Sequence, residues 1–143
     1  MRVKFPKMAA HLDFVVFLFF ALRISLSDIA IYTIRNWDLG YFLLSTFLLH
    51  GTLGLAGSYK YLVTLVLLVC ALLLGKWVGA GDLKLLMILT FFTYTYEDWL
   101  ASLIRALFFA GIFAVSKLLW NRSGEGLVAM APFLFLGFIF QVN

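Results

Sequence analysis

Six apolar runs, near residues 10–27, 39–56, 61–78, 83–96, 99–119 and 126–141, take up almost the whole chain, divided only by short stretches where charges and glycines collect. About 20 such residues cross a bilayer as a helix, the one open-ended form that pairs every backbone polar group within its own segment. A soluble globule would have to bury these runs against one another. With 143 residues, 64% of them hydrophobic and 13% charged, the chain carries more apolar surface than so small a core encloses. The expected fold class is all-α: a polytopic membrane protein of about six transmembrane helices, with residues 1–143 forming one domain in the lipid bilayer. The fourth run is short for a full crossing and reads as a tilted or re-entrant element.

Charge is scattered. The net +4 comes from 11 Lys and Arg against 7 Asp and Glu, set singly among apolar runs rather than clustered as a nucleic-acid surface requires. Trp37, Trp77, Trp99 and Trp120 fall at the run ends, where an amphipathic ring suits the headgroup level. Gly51, Gly54 and Gly57, with Gly75 and Gly79, offer places for helices to approach closely. With the N-terminus outside, Arg35, Lys76, Lys84, Lys117 and Arg122 face the cytoplasm, but Arg2, Lys4 and Lys7 then lie on the wrong side. A start at Met8 would remove that conflict. The first run is expected to be retained as a span rather than cleaved as a signal peptide.

Few residues can do chemistry. His11 and His50 are far apart, no HExxH is present, and Cys70 is the only cysteine, so no metal set and no internal disulfide is expected. No GxSxG occurs, and no serine stands beside a plausible histidine base. Arg105, well inside the fifth run, needs snorkelling or an internal partner, for which helical spacing suggests Asp98.

Two carboxylates remain. Asp28 stands in Ser25-Leu26-Ser27-Asp28-Ile29-Ala30 at the end of the first run, and Asp82 in Gly79-Ala80-Gly81-Asp82-Leu83-Lys84 at the start of the fourth. The connections after spans 1 and 3 lie on the same side whatever the absolute orientation, so both carboxylates reach one membrane face. The connection after span 5, leading to Pro132, falls there too. Two carboxylates at close range cannot both ionise cheaply, so one keeps a proton while the other acts as base. Such a pair can activate water against a peptide carbonyl and protonate the leaving amine. Gly79 and Gly81 suit the site by allowing unusual dihedrals and close backbone approach. Taken alone, Asp28 also reads as an interfacial residue at a helix end, and Asp82 as the N-cap of the fourth span.

These residues resemble the aspartic prepilin peptidases, membrane enzymes that remove leader peptides from type IV pilins and related preproteins. Asp28, followed eight residues later by Asn36, is similar to the family's first catalytic Asp and the Asn of its Ile-Pro-Asn turn. Gly79-Ala80-Gly81-Asp82-Leu83-Lys84-Leu85 matches the second motif, GxGDxKL, at every defined position. Ala129-Met130-Ala131-Pro132-Phe133 resembles the last-span motif. Arg35 stands where the family has a proline before Asn36, and Ala129 where the earlier proline of the last motif would be.

The resemblance implies a peptidase-only member, of the sort found with tight-adherence pili, without the cysteine-rich, methylating segment of the larger enzymes. It implies Asp28 and Asp82 as the catalytic pair, with Asn36, Gly79, Gly81, Lys84 and Pro132 in support. It also implies a type IV prepilin-like substrate with a glycine before the scissile bond, no cofactor, no metal, and a multi-pass place in the prokaryotic cytoplasmic membrane with the site facing the cytoplasm. Lys84 equally reads as a cytoplasmic anchoring cation. Presenilin-like GxGD proteases resemble the chain only at Asp82. A non-enzymatic transporter subunit or pilus-assembly scaffold, using the aspartates to bind a cation or a partner helix, is the competing expectation.

Overall fold

A computed structural model describes residues 7–50, 58–74, 79–121 and 128–142. Among them there are six α-helices and no strand: α1 Lys7–Ile31, α2 Asn36–His50, α3 Ser58–Leu74, α4 Ala80–Leu89, α5 Tyr96–Asn121 and α6 Ala131–Phe138. Single 3-10 turns follow α4 (Thr90–Phe92) and α6 (Ile139–Gln141). Gly51, Gly54, Gly57, Gly75, Lys76, Trp77, Arg122, Arg2 and Lys4 lie outside the described residues. So do the side chains of Lys7 and His50.

Two helices, over His11–Ile31 and Tyr96–Trp120, are long and apolar enough to cross a membrane, with mean hydropathies of 2.1 and 1.8. Both expose most of their apolar surface: Leu22 and Leu26 on α1, and Phe108, Leu119 and Trp120 on α5, all lie open. The buried set, by contrast, includes Asp28, Asp38, Thr46, Lys60, Thr90, Thr93 and Ser102. Among the described residues, every buried polar side-chain atom has a hydrogen-bond partner, as the cost of leaving one unmade demands.

Chain ends are set locally. Tyr32 ends α1 with φ 50°, a left-handed residue whose N–H reaches the Asp28 carbonyl at 2.8 Å. Its ring takes the Lys117 ammonium of α5 at 6.0 Å. Helix α2 starts without the proline its resemblance implies: the Arg35 carbonyl accepts from Asp38 and Leu39 N–H at 3.1 and 3.2 Å. Thr95 caps α5, its Oγ1 accepting the Asp98 N–H at 3.1 Å, and Glu97 and Asp98 place negative charge in the first turn.

The fourth run does not continue as one helix. Thr90 turns its hydroxyl back to the Leu86 carbonyl (2.9 Å), the backbone tightens into the 3-10 turn, and Thr93 is extended. The ten residues of α4 rise only about 15 Å. The irregular backbone beyond it is held by protein groups. Tyr59 Oη donates to the Thr93 carbonyl at 2.7 Å, Lys60 Nζ lies 3.4 Å from the Phe91 carbonyl, and Trp99 Nε1 donates to Thr90 Oγ1 at 3.2 Å. Trp99 is therefore a core residue, 8% exposed, and not an interfacial anchor; its indole satisfies the hydroxyl where α4 stops. Trp37 and Trp120 are widely exposed.

The core is aromatic. Phe17 of α1 packs edge-on against Phe92 and against Phe135 of α6 (centroids 5.3 and 5.4 Å), and Phe42 of α2 stacks on Phe20 and Phe92 (5.0 and 5.8 Å). Helices α5 and α6 approach more closely still. A Cβ on Gly137 would overlap the Ser102 carbonyl oxygen and come within 2.7 Å of the Ala106 Cβ. Arg105 does not pair with Asp98. Its Nε donates to the Ala101 carbonyl at 3.1 Å, a terminal nitrogen lies 3.2 Å from Ser102 Oγ, and the guanidinium sits over the Phe140 ring.

Gly137→Ala is expected to destabilise the protein by about 1–3 kcal/mol, because backbone atoms cannot yield as side chains do. Gly111→Ala, on open surface of α5, is expected to leave the melting temperature in detergent unchanged or slightly raised. Thermal unfolding of the two variants side by side checks the contact.

Candidate active site at one end of the bundle

The C-terminal end of α1 and the N-terminal ends of α2, α4 and α6 converge. The contacts that prove it run between residues far apart in sequence. Asp28 Oδ2 accepts the Ala131 N–H at 2.9 Å, Lys84 Nζ donates to Asn36 Oδ1 at 3.1 Å, and Ile34 lies against Gly81. All seven residues singled out from the sequence, Asp28, Asn36, Gly79, Gly81, Asp82, Lys84 and Pro132, stand at this end.

Asp28 is one turn from the end of α1 and only 5% exposed. Its hydrogen bond has a local cause in the other helix. Pro132 opens α6, where a missing N–H is harmless. The Phe133 and Leu134 N–H groups both bond to the Met130 carbonyl at 3.1 Å. The Ala131 N–H is left over, and Asp28 supplies the acceptor from a different helix. The carboxylate also meets the positive end of the α6 dipole.

Asp82 is not the N-cap of α4. Gly79 takes that position, with no side-chain cap, and Asp82 is the third residue of the first turn. Its N–H donates to the Gly79 carbonyl at 3.0 Å, and its carboxyl folds back over the glycine. A Cβ on Gly79 would stand 2.8 Å from Asp82 Oδ2. The backbone at Gly79 (φ −53°, ψ 118°) is one any residue adopts, so this glycine provides room for the carboxyl rather than an unusual dihedral. Gly81 likewise provides approach: a Cβ there would stand 3.0 Å from the Ile34 Cβ.

At the mouth of α4, outside the two long spans, Asp82 has its pKa pushed up to about 6, by burial first and then by the negative charge of Asp28. A carboxyl in this state exchanges protons close to neutrality, as a general acid or base must. Lys84, two residues on, is exposed and committed to Asn36. Among the described residues no three His, Cys, Asp or Glu side chains gather as a metal set would.

Sequence reasoning missed Asp38. It is 4% exposed and takes Arg23 Nε of α1 on Oδ1 at 2.7 Å, joining α1 to α2 just beneath the site. Its place in the first turn of α2 reads from sequence as an ordinary helix-start acid.

No family model, curated protein or solved structure matches this chain.

Because folding raises the Asp82 pKa, the folded state binds more protons than the unfolded state between about pH 4 and pH 6. Stability contributed by this group is present below pH 4 and lost as pH rises through about 6. Asp82→Asn is therefore expected to melt a few degrees above the parent at pH 7, with the gap closing towards pH 4. Melting curves across that range check the sign. Asp28→Asn keeps an acceptor for Ala131, whereas Asp28→Leu strands a buried N–H at a cost of about 1–3 kcal/mol.

Proposed function

We propose that this chain is a multi-pass membrane aspartyl endopeptidase that removes the leader from type IV prepilin-like preproteins, with Asp28 and Asp82 as its catalytic pair. One observation carries the reading. A buried carboxylate held by the Ala131 N–H stands at the same end of the bundle as a second carboxyl whose pKa is pushed up to about 6, by burial first and then by that carboxylate's charge. The motif resemblance around both aspartates supports the same chemistry.

In this mechanism the pair shares one proton. The ionised member takes a proton from water as it attacks the scissile carbonyl; the protonated member donates to the carbonyl oxygen, and proton return expels the amine. The two titrate as a unit, so neither is fixed as acid or base. The substrate is a small preprotein with a short leader and an apolar helix, cut at the cytoplasmic face of a prokaryotic inner membrane. The short helices Tyr59–Cys70 and Ala131–Gln141, together with α2 and α4, complete a bundle of about six membrane-embedded helices around α1 and α5. Exposed leucines on α2 and α3, among them Leu48, Leu62 and Leu73, support lipid contact there too.

A non-enzymatic scaffold has one observation in its favour: Asp28 already serves to cap α6. The amide in Asp28→Asn preserves that cap and removes only the ionisable group. Co-expressed with a candidate prepilin, Asp28→Asn and Asp82→Asn are each expected to abolish leader removal while inserting normally. Processing that persists in either variant rejects the peptidase. The singly protonated pair declines above about pH 6, so the cleavage rate is expected to fall about tenfold per unit above pH 7. Chelators are expected to leave it unchanged.

A further inference from the structure

Resting on the peptidase reading above, we infer that the Arg23–Asp38 ion pair is a positioning strut: it fixes the height of α2 on α1 and thereby, through Asn36 and Lys84, the separation of the two aspartates.

The contacts form a continuous path from α1 through α2 to α4. Arg23 lies five residues before Asp28 on α1, about 7.5 Å along the axis. Its Nε holds Asp38 Oδ1 at 2.7 Å. Asp38 is two residues into α2 from Asn36, whose Oδ1 takes Lys84 Nζ at 3.1 Å, and Lys84 is two residues beyond Asp82 on α4. The path thus leaves α1 below one aspartate and returns on α4 beside the other.

The covalent link between α1 and α2, Tyr32–Arg35, cannot do this alone, because its four residues form no helix and begin with a left-handed residue. The ion pair can. Asp38 is nearly fully buried while Arg23 remains half exposed, and a buried carboxylate stripped of its partner is severely penalised. A slide of α2 along α1 by even one helical turn, about 5.4 Å, would strand that charge. The register of Asn36 is therefore locked to α1. An arginine serving only to reach the headgroups would leave Asp38 without this cation.

The seating of α4 against the α1–α2 connection, which sets where Asp82 stands, is read by a disulfide. Ile34 Cβ lies 3.0 Å from a Cβ built on Gly81, shorter than the roughly 3.5–4.5 Å a disulfide spans, so Ile34→Cys/Gly81→Cys in a Cys70→Ser background needs only a small outward shift and is expected to cross-link rapidly with a mild oxidant. Adding Asp38→Asn is expected to slow cross-linking at least about fivefold, whereas Arg23→Lys and the swap Arg23→Asp/Asp38→Arg stay within about twofold of the parent. The double Arg23→Met/Asp38→Leu strands no charge and repeats the Asp38→Asn arm if that variant aggregates. In the chain without the reporter cysteines, Asp38→Asn is expected to lower kcat for leader removal by tenfold or more with KM unchanged, and the swap to restore it. Cross-linking that proceeds at the parent rate without the ion pair, or a loss that the swap does not recover, overturns the strut. If the parent cleaves no preprotein while cross-linking still depends on the pair, the peptidase reading fails and the strut stands.

Discussion

The bond from the Ala131 N–H to the Asp28 carboxylate sustains the rest of this end of the molecule. A carboxylate 5% exposed is costly to ionise unless hydrogen-bonded, and a helix opening on Ala-Pro has a donor to spare. Each deficit answers the other across 103 residues of sequence. The tie holds the end of the first long helix against the start of the last one.

The two ends of the bundle solve the same polar problem in different ways. At the Asp28 end, acidic groups face helix starts, and the polar contacts run between helices. At the other end, hydroxyls, an indole and an ammonium close over the broken backbone after α4: Thr93, Lys60 and Tyr59 reach the Thr90, Phe91 and Thr93 carbonyls, and Trp99 reaches the Thr90 hydroxyl. Non-helical backbone inside a membrane protein survives only where protein groups or water cover it. This is why α4 can stop after ten residues without a penalty that would favour a longer helix.

Much of this was legible in the sequence. Apolar runs mark the helices, and reading those runs as alternating crossings puts Asp28, Asn36, Asp82, Lys84 and Pro132 at one end before any coordinate is known. Other features left no trace. The Arg23–Asp38 pair joins two helices by a contact that follows no periodicity. Trp99 sits where an interfacial tryptophan would, and only its bond to Thr90 reveals it as buried. Arg105 finds carbonyl, hydroxyl and ring partners that no charge pattern announces. The end of α4 depends on threonines bonding back to their own helix, a choice that an unbroken apolar run conceals. Gly79 reads as a hinge but works as a vacancy for a neighbouring carboxyl.

The missing side chain at Gly137 lets α6 seat directly on the α5 backbone at Ser102 and Ala106. Helices α5 and α6 therefore behave as one stiff wall carrying Ala131 and, through it, the Asp28 carboxylate. If a polypeptide is to enter between the aspartates, the yielding falls to α4, whose tie to the fixed α2 runs through the long and pliant Lys84 side chain. One half of the site would then be an anvil, and the other the part that gives.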